Sequence, residues 1–141
     1  MRLLRRPLAA ALSAVALLLS ALPARAACTA DARTLCLLDS RFAVQVHWKN
    51  QHGGGAEGEG TAVPLSDKTG AFWFFEADNL ELMLKMLDGR PLNGRFWIFF
   101  GALSDVEYQV TVTDTATSAQ QVYLNPPGHT YGVTDTGAFS P

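Results

Sequence analysis

The sequence predicts an all-β protein, an antiparallel β-sandwich of immunoglobulin-like size with about six to eight strands. Two segments alternate apolar and polar residues strictly, "RFAVQVHW" at 41–48 and "VEYQVTVTD" at 106–114, as strands with one wet face do. Two aromatic runs, "AFWFF" at 71–75 and "FWIFF" at 96–100, are apolar at every position and so need cover on both sides. Turn signals separate these runs at short intervals, and no convincing helical pattern competes elsewhere.

The chain opens on Met1 to Ala26, in which Arg2, Arg5 and Arg6 precede an apolar run from Leu8 to Leu22 and the small-x-small triplet Ala24-Arg25-Ala26. This is the pattern of a secretory signal peptide cut after Ala26, and the run is short for a bilayer span. Cys28 raises a lipoprotein reading, but Arg25 stands where a lipoprotein signal wants an aliphatic residue. Residues 27–141 then form a single domain, secreted or periplasmic, with no membrane span. Four of the 11 basic residues lie in the leader, so the rest sets seven against all 13 acids, a formal charge of −6. That balance argues against a nucleic-acid partner.

Cys28 and Cys36 are the only cysteines, with seven residues between them. In an exported chain this reads as a disulfide; zinc would need two further ligands, and a redox pair is normally spaced by two residues. After the strand at 41–48, "KNQHGGGAEGEG" reads as a mobile loop because its glycines leave little to pack and raise the cost of ordering. "TAVPL" is a short edge strand, since Pro64 cannot donate to a ladder, and "SDKTG" turns the chain into "AFWFF".

Residues 79–88, "NLELMLKMLD", fit two templates. Leu80, Leu82, Leu84 and Met86 make a strand face; Leu80, Met83, Leu84 and Leu87 make a helix face, with Asp78 and Glu81 resembling a capping box. Local propensity favours helix, whereas the strand runs on either side and the turn-rich "DGRPLNG" favour strand, which is the reading taken. "VEYQVTVTD" follows with Val106, Tyr108, Val110 and Val112 inward. "TATSA" is a turn, "QQVYLN" a strand stopped by Pro126 and Pro127, and "GHTYGVTDTGAF" holds a weak final strand.

Taken together, "RFAVQVHW", "AVPLSDKTGAFWFF", "NLELMLKMLDG", "FWIFFGALSDVEYQVTVTDTATS" and "YLNPPG" resemble an uncharacterised family of bacterial secreted β-rich modules. The resemblance spans nearly all of residues 27–141. It implies an extracytoplasmic β-rich module and brings no catalytic residues with it. Members of that family carry valine where this chain has leucine and methionine in "LELMLKML", which implies strand there.

Candidate chemistry is sparse. Asp135-Thr136-Gly137-Ala138 matches an aspartic-protease signature with Asp114-Thr115-Ala116 as partner, and two carboxylates sharing a proton can activate water. The motif nevertheless ends too near the C-terminus to be followed by a lobe, and a strand-ending turn explains Asp114. His47, His52 and His129 form no metal signature, and Asp67, Asp88, Asn93 and Asp114 sit in turns, each explained by turn initiation, rather than in a dense calcium loop. No serine stands in a nucleophile elbow. The reading is therefore a non-catalytic module, without metal or cofactor and monomeric, that contacts a protein or a glycan. Its alternative is an inhibitor of exported proteases presenting the 49–60 segment. Within the aromatic runs, Trp73 and Phe75 point opposite to Phe72 and Phe74, and Trp97 and Phe99 opposite to Phe96, Ile98 and Phe100. If the two strands are neighbours, Trp73, Phe75, Trp97 and Phe99 form one aromatic binding patch, unless other parts of the chain lie across it.

Overall fold

In the computed structural model, residues 26–141 are described, so all but the last residue of the expected signal peptide lies outside the described residues. In chain order the strands are β1 (Leu35–Leu37), β2 (Phe42–Asn50), β3 (Ala56–Glu59), β4 (Thr61–Pro64), β5 (Thr69–Trp73), β6 (Leu80–Asp88), β7 (Phe96–Ala102), β8 (Glu107–Asp114), β9 (Gln120–Asn125) and β10 (Gly132–Phe139). One short helix, α1 (Arg90–Asn93), links β6 to β7. Sheet A runs β1-β2-β8-β9, with β3 also paired to β2; sheet B runs β10-β7-β6-β5-β4. Every pairing is antiparallel.

The alternation seen in the sequence sets the inner faces. Phe42, Val44 and Val46 of β2 and Tyr108, Val110 and Val112 of β8 are buried, and they meet Phe72, Leu82, Leu84, Met86, Phe96 and Ile98 of sheet B in one core. Phe42 stands 5.1 Å, centroid to centroid, from both Phe96 and Phe139, which ties the two sheets at one end. At the other end Phe74 lies between Trp48 and Tyr108 at 6.1 and 6.2 Å. Each such ring brings on the order of 2 kcal/mol of burial, plus a smaller pairing increment.

Of residues 79–88, all but Asn79 form a strand. Their helix propensity loses because β6 is the central strand of sheet B, with β5 and β7 satisfying its backbone on both sides. One detail of the expected strand face is corrected: Leu80 does not join Leu82, Leu84 and Met86 inside. The β5–β6 register slips between Phe72 and Trp73, with Glu81 as the extra residue, and this bulge turns Leu80 out to 36% exposure.

The glycine-rich segment also differs from the mobile loop expected of it. It is a hairpin in which β3 pairs with β2 from His47 opposite Glu59 to Asn50 opposite Ala56. Its glycines have geometric uses. Gly54 and Gly55 take the left-handed backbone the turn requires, at φ 71° and 83°. A Cβ on Gly58 would stand 2.9 Å from Cζ2 of Trp48, so the missing side chain lets the indole lie against β3. The disulfide joins Cys28 to Cys36 with their Cα atoms 5.7 Å apart, closing the N-terminal segment onto β1. The final strand, weak in sequence, is an eight-residue partner of β7 along one edge of sheet B. With β1 and β3 the strands number ten among the described residues, more than the sequence announced.

Candidate functional site

The outer face of sheet B is built by the residues of β6 and β7 that alternate away from the core. Register places Leu87 opposite Trp97, Lys85 opposite Phe99 and Met83 opposite Gly101; on the far side of β7, Thr134 lies opposite Phe99 and Gly132 opposite Gly101. Trp97 is half-buried. Its Nε1–H donates to Asn93 Oδ1 at 2.8 Å, and its ring rests on Gly89, where a Cβ would fall 2.1 Å from the indole. The last turn before β7 therefore cradles this ring. Gly94, in the left-handed conformation at φ 73°, ends α1 and donates to the Arg90 carbonyl, which positions Asn93. Phe99 meets Trp97 edge to face at 6.3 Å, and the Lys85 ammonium lies 5.2 Å from its centroid.

Beyond Phe99 this face loses its side chains. Gly101 and Gly132 oppose each other, and a Cβ on Gly101 would meet nothing within 4 Å. The result is an open depression of about 610 Å³, bordered by Met83, Lys85, Phe99, Leu103 and Thr134. Met83 and Leu103 are 50% and 88% exposed. The opposite, outer face of sheet A is instead rich in amide, hydroxyl and charged groups, among them Gln45, His47, Gln109, Thr111 and Thr113.

The four aromatic residues singled out in the sequence do not form one patch. β6 lies between β5 and β7, so the two aromatic strands are not neighbours. Trp73 pairs opposite Leu80 and Trp97 opposite Leu87, which sets them roughly 20 Å apart along β6 at the usual strand rise. Phe75 lies past the end of β5 and packs on Trp48 at 4.9 Å. Only Trp97 and Phe99 are brought together. Met83, Leu103 and Gly101 went unremarked as surface residues. Met83 carried a signal, being the one apolar residue on the charged side of "ELMLK".

The remaining candidates are dispersed. Asp114 accepts two hydrogen bonds from Arg41, Nε at 3.0 Å and Nη2 at 2.8 Å, and others from the Ala116 N–H and the Thr117 hydroxyl, so it caps its turn. Asp135 accepts from the Tyr123 hydroxyl at 2.8 Å and from the Gly137 N–H. The two aspartates sit in different sheets with separate donors, and nothing pairs them as a dyad. Burial pushes the Tyr123 hydroxyl upward, and the Asp135 charge adds to it.

His47 pairs with Glu59 at 3.0 Å and His52 with Asp105 at 3.1 Å, both exposed, while His129 offers its backbone carbonyl to Asn125. Among the described residues no three His, Cys, Asp or Glu side chains gather as a metal cluster. Asp67 receives the Asp39 N–H and so ties its turn to the one between β1 and β2, while Asp88 is held at about pKa 2 chiefly by the Arg90 guanidinium of its own turn. Gln51 and His52 tie the tip of the β2–β3 hairpin to Asp105. That tip is a tight glycine turn rather than an extended segment. Among the described residues no helix is long and apolar enough to cross a membrane. Compared with family models, curated proteins and solved structures, the chain gives no match.

Proposed function

We propose that this chain is an exported, non-catalytic interaction module that docks a protein partner through the outer face of sheet B. The observation that carries the reading is the open depression where Gly101 and Gly132 put no side chains between Met83, Phe99 and Leu103. An apolar, solvent-filled hollow on one sheet face, rimmed by a lysine and a threonine, has the make-up of a docking surface: an apolar centre and a polar rim. A protein partner fits it better than a glycan. Sugar rings stack on free aromatic faces, whereas the Trp97 indole rests on Gly89 and Lys85 lies against Phe99. Flexible Met83 and exposed Leu103 suit an irregular protein surface. Export is supported by the leader-like residues 1–26, by the Cys28–Cys36 bond, and by the resemblance to secreted bacterial modules.

Gly101→Arg is the test. Its Cβ enters open space, so the fold should keep its melting temperature while the hollow is filled. Cross-linking pull-downs from the envelope and medium of the exporting cell should recover a protein with the parent chain and lose it with the variant. Equal recovery by both would refute the assignment. A glycan array that selects the parent chain, with binding lost in the variant, would replace protein by glycan. Protease inhibition at near-equal concentrations in a panel of secreted proteases would move function to the 49–60 hairpin.

A further inference from the structure

Five strands border the two sheets, and four of them carry a device that discourages a further strand. β1 is three residues long. β3 carries Glu57 and Glu59. β4 is four residues ending in Pro64, and its Ala62 N–H is already taken by the Ala32 carbonyl at 2.9 Å. β10 contains Asp135 and a register shift before Phe139. Short length, charge, proline and irregularity are the means by which sheets protect exposed edges. β9, "QQVYLN", has none of them: six residues without charge, proline or glycine, paired to β8 without a slip from Gln120 opposite Thr113 to Asn125 opposite Tyr108.

The strand is also held ready. Its inward residues close the open side of the sandwich, Gln121 Nε2 donating to the Ala138 carbonyl at 2.7 Å and the Tyr123 hydroxyl to Asp135 at 2.8 Å. Its outward residues, Val122 and Leu124, are 49% and 64% exposed although both are aliphatic. An extended, unprotected edge with an apolar outer row is a template for strand addition.

We propose that β9 pairs antiparallel with β9 of a second copy of this chain, across a two-fold axis, joining two copies of sheet A into one continuous sheet. The occupant follows from self-complementarity. In a two-fold pairing each residue meets one from the same set, and this set holds only amide, phenol and aliphatic side chains, so Val122 and Leu124 cover their counterparts without a like-charge pair. The same operation on β3 or β10 would set Glu57, Glu59 or Asp135 near its own copy. Residues 27–141 carry a formal charge of −6, so two copies meet with least repulsion along an uncharged edge. Pro126 and Pro127 end the seam, which holds it to six residues per copy. An interface of this length is small, so the dissociation constant lies between about 10 μM and 1 mM.

Sedimentation equilibrium of the purified protein over that range tests the proposal, with a double variant Val122→Lys, Leu124→Lys and its opposite Val122→Glu, Leu124→Glu. Both positions are exposed, so circular dichroism and melting temperature should match the parent. The parent should show a monomer–dimer equilibrium, each double variant should dimerise at least about tenfold more weakly, and an equimolar mixture of the two should recover dimer. A parent that stays monomeric to about 1 mM overturns the proposal. So does a dimer untouched by both double variants, which would place the contact elsewhere, and so does a loss in each variant with no recovery in the mixture.

Discussion

Asp114→Asn separates a structural carboxylate from a catalytic one. The native side chain is 1% exposed and binds Arg41 through both oxygens, at 3.0 and 2.8 Å, while the guanidinium lies 4.2 Å from the centre of the Phe96 ring. The Ala116 N–H and Thr117 hydroxyl take the remaining acceptor positions, each at 3.0 Å. Asparagine turns one acceptor oxygen into a donor, which faces the Arg41 guanidinium in either orientation of the amide, together with the Ala116 N–H in one and the Thr117 hydroxyl in the other, so one of the two Arg41 contacts becomes repulsive. Breaking a buried pair costs about 3–5 kcal/mol. Arg41 keeps 20% of its side-chain surface in water and regains part of its hydration, so about 2–3 kcal/mol is the better figure. At roughly 4 °C per kcal/mol for a domain of this size, the melting temperature should fall by about 8–12 °C at pH 7. Burial pushes the Asp114 carboxyl up, but the Arg41 guanidinium, the Ala116 N–H and the Thr117 hydroxyl together hold it below the usual aspartate value. With a folded pKa below the unfolded one, its contribution is present above about pH 4 and lost as pH falls through the folded value. The gap between parent and variant, followed by circular dichroism melts from pH 7 to pH 2, should therefore narrow below about pH 4. A fall of under about 2 °C at pH 7, or a gap that stays constant to pH 2, would refute the account.

Two further predictions concern other parts of the fold. Gly89→Ala drives a Cβ into the Trp97 indole, so the ring must leave its seat; the expected outcome is a loss of about 1–3 kcal/mol with a shifted indole emission and exchange-broadened Asn93 side-chain amide signals, and an unchanged spectrum would contradict the cradle. Burial raises Tyr108 to about 12 and Tyr123 also upward, the latter with help from Asp135. Both folded values exceed the unfolded one of about 10, so their contribution is complete below pH 10 and fades as pH rises through the folded values; absorbance titration near 295 nm, read against unfolding, should show these phenols ionising only as the fold opens.

Much of the fold was legible because alternation and burial follow one rule. Phe42, Val44, Val46, Val106, Tyr108, Val110 and Val112 are inside where period two puts them, and Phe72, Phe96, Ile98 and Phe100 divide from Trp73, Trp97 and Phe99 in the same way. Neighbour relations were not legible. Nothing local in "AFWFF" or "FWIFF" says that β6 lies between them, because strand order is set by which faces bury together across the whole chain. The bulge at Glu81 was hidden for a similar reason: it becomes visible only against a partner strand. The glycines at 54, 55 and 58 were misread by composition. Two supply a left-handed turn and the third makes room for Trp48, so what looked like missing order is a close fit.

The candidate site was harder to see than the fold because it is defined by side chains that are absent. Rings and charges are what mark a binding residue in a sequence, and Trp97 and Phe99 carry that mark. What makes their neighbourhood a hollow is Gly101 opposite Gly132, two positions that contribute nothing to any hydrophobic pattern and acquire meaning only when β10 is laid beside β7. The same pairing accounts for the second face of "FWIFF". Its outer aromatics are partly covered by local structure, Trp97 by the turn that contains Gly89 and Asn93 and Phe99 by Lys85, and this cover stops where the glycines begin. Met83 and Leu103 stand at that boundary with half or more of their surface in water. Cover that is local at one end and missing at the other is what a surface completed by a partner requires, because the free chain keeps its rings seated while the hollow beside them stays open.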